Sequence, residues 1–453
     1  MKQCENNAIV ESGPEGIFSG EILYPENPGF ADAITIWNGA IKRRPAVVLI
    51  PESERDVQTA VSWATLRGLP LSVLGGGHDW AGRALNDGGV VVNMRKFKQI
   101  TIDAAQKIAV VGGGVIVREL AYAAADSGFV AVTGTVGAVG FAGLTLGGGY
   151  GLLTPSYGLS IDNLVGAEIV LPDGSAVYTN ENQLPDLFWA IRGGGGNFGV
   201  VTALHIRLHP GKPVLAGILL FDWREAGLLL PKYSALMREA PDQLSALAGM
   251  IPGPGGTPTL FIVPCWNGDL AVGEKYIAAI RGLGTPLMDQ VAPMEIKDLL
   301  SLFDPHIVNG NYYTVETRWL PELNASNVAI LDRAVQNRSS ELSSLNIHHF
   351  HGAPTRYGLS ETAFGIRKPH FMIEIISIWT PEAAEINGDY GNWGKELSAA
   401  LEVGAFPGGY PNLLGPDSRT QTQAAYGKNL ARLLEVKRKY DAVGLFNGTV
   451  IPL

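Results

Sequence analysis

Glycine is where this chain departs furthest from an ordinary globular sequence: 57 of its 453 residues, against a usual share of about 7%. The glycines follow no collagen-like period and no linker-like spread. They cluster in loops beside strongly apolar segments, at Gly75-Gly76-Gly77, Gly147-Gly148-Gly149 and Gly193 through Gly196. Without a Cβ, backbone N–H groups in such loops can close on an anion or a flat ring system. The alternative is that the chain passes close to its own backbone there.

Around these loops the pattern alternates. Ala46–Ile50 is expected to be a buried strand, and Ser53-Glu54-Arg55-Asp56 a capping-box start for a helix burying Val57, Val61 and Ala64. Leu71–Leu74 is a second strand running directly into Gly75-Gly76-Gly77-His78, with further strands at Val90–Met94 and Ile108–Val111 and a helix at Val117–Ala125. GAEIVLPDGSAVY, from Gly166 to Tyr178, is a hairpin pattern with a Pro-Asp-Gly turn. After about Pro210 long strand-like runs dominate: Leu215–Trp223, Thr259–Trp266, Tyr312–Leu320, Ile347–Gly352 and Phe371–Trp379, with helical stretches such as Glu274–Arg281 and Asn327–Gln336 between them. Their length and alternation favour an antiparallel sheet with helices on one face. Arg419–Tyr440 closes the chain as one amphipathic helix. A single core stops growing near ~250–300 residues, so two units are expected: residues 1–209 plus 420–453, and residues 210–419.

Several function classes are disfavoured. A net charge of −9 with scattered Lys and Arg offers no stripe for nucleic acid or for an anionic membrane. Cys4 and Cys265 alone make neither a disulfide framework nor a metal site. The N-terminal stretch lacks an apolar signal core and no run reaches about 18 apolar residues, so a cytoplasmic protein, monomeric or homodimeric, is expected. His349 and His351 share a strand face, but two histidines without a third ligand make a weak zinc site, and no metal is expected.

Gly194-x-Gly196-x-x-Gly199 matches a dinucleotide-binding pattern literally, but it follows a helix-like LPDLFWAIR and precedes a strand-like VVTALHIRL. A Rossmann fingerprint needs the opposite order. Asn197 could still reach a cofactor from that loop. Three glycines directly before His78 could bring amides together on a pyrophosphate and set the imidazole beside it. Glu374 lies in FMIEIISIW, apolar on both faces, where a carboxylate must be paired or protonated.

Taken together, the Arg44-Pro45 entry, GGGH, GGGYG, YGLSIDN, LFWAIRGGGGNFGVVT and YGKNLARLLEVKRKYD resemble the berberine bridge enzyme branch of the vanillyl alcohol oxidase flavoproteins. Within that branch, the run from Val132 to Pro155 is most similar to bacterial members of the hydroxynicotine oxidase type. The resemblance covers nearly the whole chain and implies an α+β, two-domain fold with a p-cresol methylhydroxylase-type FAD-binding domain and an antiparallel-sheet substrate domain. It implies FAD as cofactor, linked covalently to His78. Many relatives add a cysteinyl link at the position held here by Val136, so a single tether is implied.

The resemblance further places Gly75, Gly76, Gly77, Asp79, Gly82, Thr135, Val136, Gly140, Gly143, Gly147, Gly148, Gly149, Asn197, Gly199, Val201 and Asn412 around the cofactor, and Val139 where dioxygen approaches. Glu374 matches the catalytic base, and Tyr150 and Tyr410 match tyrosines facing substrate and base. Tyr313, His351 and Tyr357, with the neighbouring histidines, are candidate pocket lining. The implied reaction is oxidation of a small alcohol, phenol or amine, with an aromatic or heterocyclic metabolite favoured, and transfer of electrons to O2 to give H2O2. A dehydrogenase, a carbohydrate oxidase and a flavin-carrying protein without activity stay open.

Overall fold

The computed structural model describes residues 13–302, 307–386, 389–448 and 451; Cys4 lies outside them. Three large sheets organise the described residues, beside a two-stranded pair of Phe129–Val130 with His209–Pro210. The first is four-stranded: Glu21–Leu23, Val47–Ile50, Val90–Asn93 and Leu71–Leu74 in that spatial order. Its last three strands run parallel. Continuous burial of Val47–Ile50 and Val90–Asn93 is what strands covered on both faces require. One cover is the helix Glu54–Arg67, which starts at Ser53 with a full capping box to Asp56 and buries Val57, Val61 and Ala64.

The second sheet is antiparallel and five-stranded, ordered Ile100–Asp103, Ile108–Gly112, Val200–Arg207, Leu164–Val170 and Ala176–Thr179. The Pro-Asp-Gly hairpin joins the last two, with Gly174 at φ 79°. The loop holding Gly194, Gly196 and Gly199 lies between the helix Pro185–Ile191 and the strand Val200–Arg207, the reverse of the dinucleotide-binding order.

The third sheet has nine strands and lies within residues 214–379. Its centre is Pro258–Trp266, Leu244–Pro252, Ser344–Phe350, His370–Trp379 and Tyr312–Leu320, all antiparallel. Side chains alternate across a pleated strand, and here the alternation decides partners. Phe371, Ile373, Ile375, Leu345 and Ile347 pack under the helices Ala226–Arg238, Ala325–Gln336 and Asn392–Leu401. The opposite face meets the first two sheets' loops: Trp319, Phe350 and Met372 pack with Tyr150, Leu159 and Ile161. Leu247, Phe261 and Val263 likewise pack with Val132, Leu152 and Leu153.

Two sequence expectations are corrected. Leu215–Trp223 is broken at Gly217 (φ 153°) into Val214–Ala216 and Leu219–Asp222. The C-terminal helix is also broken, at Gly427 (φ 50°), into Arg419–Tyr426 and Leu430–Tyr440. There Asn429 Nδ2 donates to the Leu359 and Thr362 carbonyls. The second half returns Leu433 and Val436 to the core around Phe198 and Leu204, while the buried Lys437 Nζ donates to the Asn197 carbonyl at 2.8 Å. No described helix is long and apolar enough to cross a membrane.

The YGLSIDN segment is held by a buried ion pair: the Arg367 guanidinium donates two bonds of 2.8 Å to the Asp162 carboxylate, their side chains 3% and 0% exposed. Removing one member of such a pair strands the other charge. Arg367→Met is therefore expected to cost about 3–5 kcal/mol, measured as a lower urea midpoint at unchanged slope. An unchanged midpoint would show that the pair is solvated.

Candidate active site

Along His370–Trp379 the face turned to the glycine loops is buried at His370 and Met372 but only half-buried at Glu374, Ile376 and Ile378. On the neighbouring strand Asn346 and His348 are half-buried too, while Phe350 is buried. These residues form an open strip on an otherwise covered sheet face. From Tyr313, paired with Ile378, to Thr317, paired with Glu374, the strip spans four strand residues, about 13 Å.

One end of the strip is set by His78. Its imidazole stacks at 5.4 Å on Trp37, which stacks at 3.8 Å on Tyr313. Tyr313 donates its hydroxyl to the Val308 carbonyl, so it anchors the stack from the sheet. Burial, and then the Arg95 charge, hold the His78 pKa at about 4. The ring is neutral at neutral pH, and among the described residues neither of its nitrogens has a protein hydrogen-bond partner. The loop carrying it is brought in by a backbone crossing: a Cβ on Gly76 would lie 2.2 Å from Gly140 N, and one on Gly140 2.5 Å from Gly76 N.

The other end holds the acid and the phenols. Glu374, its side chain 18% exposed, accepts from Asn346 Nδ2 at 2.8 Å and lies 3.7 Å from His348 Nε2. It is therefore not sealed between two apolar faces, because the pleat turns it to the strip. Tyr410 accepts at its hydroxyl from Gly149 N at 2.9 Å and from Asn412 Nδ2 at 3.1 Å. Burial, supplemented by the charge of Glu374, pushes the Tyr410 pKa to about 12. Tyr150 packs edge-on to Tyr410 at 4.8 Å, and its hydroxyl meets His370 Nε2 at 2.8 Å.

His370 is enclosed, and burial lowers its pKa to about 3. An unfolded histidine titrates near 6.5, so the unfolded chain binds the extra proton between about pH 3 and 6.5. Stability must fall as pH drops through that window, by about 2 kcal/mol at pH 5 from this residue. Urea unfolding at pH 7 and pH 5 checks it, with His370→Gln losing correspondingly less; equal losses in both proteins would exclude the effect.

The remaining expected site residues divide. Among the described residues nothing lies within 4 Å of a Cβ added to Gly143, which leaves open space there, whereas one on Gly75 would be in ordinary contact with the Gly113 carbonyl at 3.5 Å. Thr135, Val136 and Val139 are half-buried in the turn before Gly140. Gly147, Gly148 and Gly149 are small for internal reasons, because Asn412, Tyr410 with Phe364, and Ser160 occupy the space their side chains would need. Gly77 and Gly82 sit against Arg95 and Ile41, and Gly199 against Ile169, the cross-strand partner of Val201. Asp79 is taken up by Arg83, whose backbone and guanidinium both donate to it. Asn197 Nδ2 donates to the Gly194 carbonyl.

Two expected pocket residues do not join Glu374. His351 stacks on His349 at 4.2 Å, and His349 on Phe371; odd-numbered positions on that strand face the helix layer. Tyr357 lies over the Arg367 guanidinium and reaches the Asp162 carbonyl. Among the described residues no three His, Cys, Asp or Glu side chains could share a metal ion. Trp37, Asn346 and His370 belong to the site without standing out in the sequence. Strand parity with Glu374 and His348 could have found Asn346; Trp37 and His370 become visible only through contacts across the fold.

The strip and loops fit FAD: a half-open sheet face of that length, a glycine, Gly143, whose Cβ position opens onto space, and a neutral imidazole without a hydrogen-bond partner among the described residues. Comparison with known proteins agrees. The family described as FAD binding domain matches residues 45–180, and berberine and berberine like matches residues 409–449. The (R)-6-hydroxynicotine oxidase of Paenarthrobacter nicotinovorans is 38% identical over 289 residues, and the match spans 62% of each chain. A crystal structure of 6-hydroxy-D-nicotine oxidase from Arthrobacter nicotinovorans has a TM-score of 0.88 at 31% identity, covering 96% of this chain and 98% of that one. Glucooligosaccharide oxidase from Acremonium strictum, described with a 6-S-cysteinyl, 8α-N1-histidyl FAD, shares the fold at TM-score 0.85 and 22% identity, with 99% of each chain covered.

Proposed function

This chain belongs to the berberine bridge enzyme-like FAD-linked oxidoreductases, and from that premise we propose that it is an oxidase of a small aromatic or heterocyclic alcohol, phenol or amine. The observation that carries the reading is Glu374, an acceptor held by Asn346 on the open strip and flanked by Tyr410. FAD, when bound, would supply the hydride acceptor and the means of reducing dioxygen to hydrogen peroxide. His78, Gly75, Gly76, Thr135, Val136, Gly140 and Gly143 would hold it, with His78 as the covalent tether. Glu374 takes the proton that leaves the substrate's O–H or N–H. Tyr410 has both lone pairs occupied by N–H donors, so its own O–H must be donated, which orients a substrate acceptor atom. Val139, a small side chain next to Gly140, suits approach of dioxygen.

The names of the relatives make hydroxylated pyridine amines the first compounds to try. A panel of these, benzylic alcohols and oligosaccharides, scored by loss of the oxidised-flavin absorbance without oxygen, tests the half-reaction; a peroxide assay under air tests the acceptor. Bleaching without peroxide would replace the oxidase by a dehydrogenase, and bleaching by sugars alone would replace the substrate class. No bleaching at all would favour a flavin-carrying protein without this activity.

A further inference from the structure

His370 belongs to none of the motifs that point to the cofactor, yet both of its ring nitrogens are engaged. Nδ1 lies 2.7 Å from the Lys368 carbonyl oxygen, and Nε2 lies 2.8 Å from the Tyr150 hydroxyl. A carbonyl can only accept, so Nδ1 carries the proton. In a neutral imidazole Nε2 is then a bare lone pair, and Tyr150 must be the donor. The ring is held in this place: it is 1% exposed and stacks at 4.6 Å on Phe350. Tyr150 therefore has its hydroxyl proton committed inside the protein and cannot also lend it to a substrate.

The next link runs through the backbone. Gly149, the residue before Tyr150, donates its N–H to the Tyr410 hydroxyl oxygen. Asn412 supplies the second donor. With two N–H donors on its oxygen the Tyr410 O–H is left to donate elsewhere, and the charge of Glu374 is near enough to act on the phenol. His370 sits four residues before Glu374 on the same face of the same strand, so one strand carries both the acid and the clamp.

We propose that His370 is a positioning residue: by accepting the Tyr150 proton it clamps the Gly147–Gly151 loop to the substrate-side sheet, and that loop's amide aims the Tyr410 hydroxyl. Tyr150 is thereby a strut rather than a proton-transfer group. The proposal rests on the oxidoreductase reading for its kinetic consequence, but not for the proton assignment.

Two measurements test it. Imidazole 15N spectra of protein labelled at its 8 histidines, with His370 assigned by loss of its signals in H370Q, are expected to show Nδ1 protonated and Nε2 bare from pH 5 to 9. The Nε2 signal should shift in Y150F. A protonated Nε2 overturns the proposal whether or not a substrate is known. With a substrate that bleaches the wild-type flavin, H370L should lower the anaerobic reduction rate constant by on the order of ten- to a hundredfold at unchanged flavin content and substrate Kd. H370Q, whose carbonyl can still accept from Tyr150, should recover most of it with the wild-type pH profile. In the Y150F background, H370L or H370Q should change nothing further. Wild-type reduction in H370L, or losses that multiply in the double variant, would overturn the clamp. Should H370L fail to fold, Y150F compared with Y150F/H370Q decides the same question. If no compound bleaches the wild type, the oxidoreductase reading fails while the nitrogen spectra still decide the proton.

Discussion

Glu374→Gln is expected to lower the anaerobic flavin reduction rate constant by roughly 10²- to 10⁴-fold, the usual contribution of a positioned general base. Flavin content and stability should hardly change. Gln keeps an oxygen for Asn346 Nδ2, which donates at 2.8 Å, and the site is half-open rather than sealed, so no buried charge is stranded. What is lost is the ability to take a proton. Stopped-flow reduction separates this from a binding effect: the limiting rate should fall while the substrate concentration at half-saturation stays within a few-fold. If the limiting rate were unchanged, the proton would have to leave by another group, and Tyr410 as a phenolate between Gly149 N and Asn412 Nδ2 would be next to examine. Wild-type behaviour in both parameters would remove Glu374 from the chemistry.

His78→Ala is expected to abolish denaturation-resistant flavin altogether. In the wild type the yellow colour should stay with the 48.2 kDa chain through acid precipitation and SDS electrophoresis; in the variant it should wash out. The physical basis is a neutral imidazole, its pKa near 4, stacked on Trp37 beside the open strip with no hydrogen-bond partner at either nitrogen among the described residues. A thiol tether has no candidate at the expected place, since Val136 stands there. Cys265 is buried in the third sheet among Val263, Phe261 and Leu247. The band should therefore fluoresce without a second attachment. Colour that leaves the wild-type chain on denaturation would make the cofactor non-covalent, and colour that stays in His78→Ala would move the tether to another residue.

Legibility differs by scale. Local patterns suffice where one segment decides its own state: the Ser53–Asp56 box, the Pro-Asp-Gly hairpin, and Tyr312–Leu320, whose bounds agree at both ends. Leu244–Pro252 leaves no such mark, because it is almost wholly buried and shows no alternation to read. The break at Gly427 is hidden too, since its backbone turn is held by Asn429 reaching carbonyls some seventy positions away. Glycine runs are legible as close approaches but not as to what approaches. At Gly147 through Gly149 the neighbours are Asn412, Tyr410 and Ser160, whereas at Gly143 there is open space.

His78 with its three glycines, the order of the motifs and the acid in a late strand are all contained in the linear sequence, because each is a local or ordered pattern that survives without coordinates. Which histidine joins the site is not. His348 faces Glu374, His351 stacks on His349, and His370 receives Tyr150, although all three lie within a few residues of one another or of the acid. Strand parity assigns a face and Lys368, two residues away, fixes the proton on Nδ1 of His370, but which face meets the glycine loops, and which hydroxyl reaches the other nitrogen, depends on contacts spanning 220 positions and more. Tertiary packing alone decides those, because a hydrogen bond's direction is set by the full set of donors and acceptors that folding brings together.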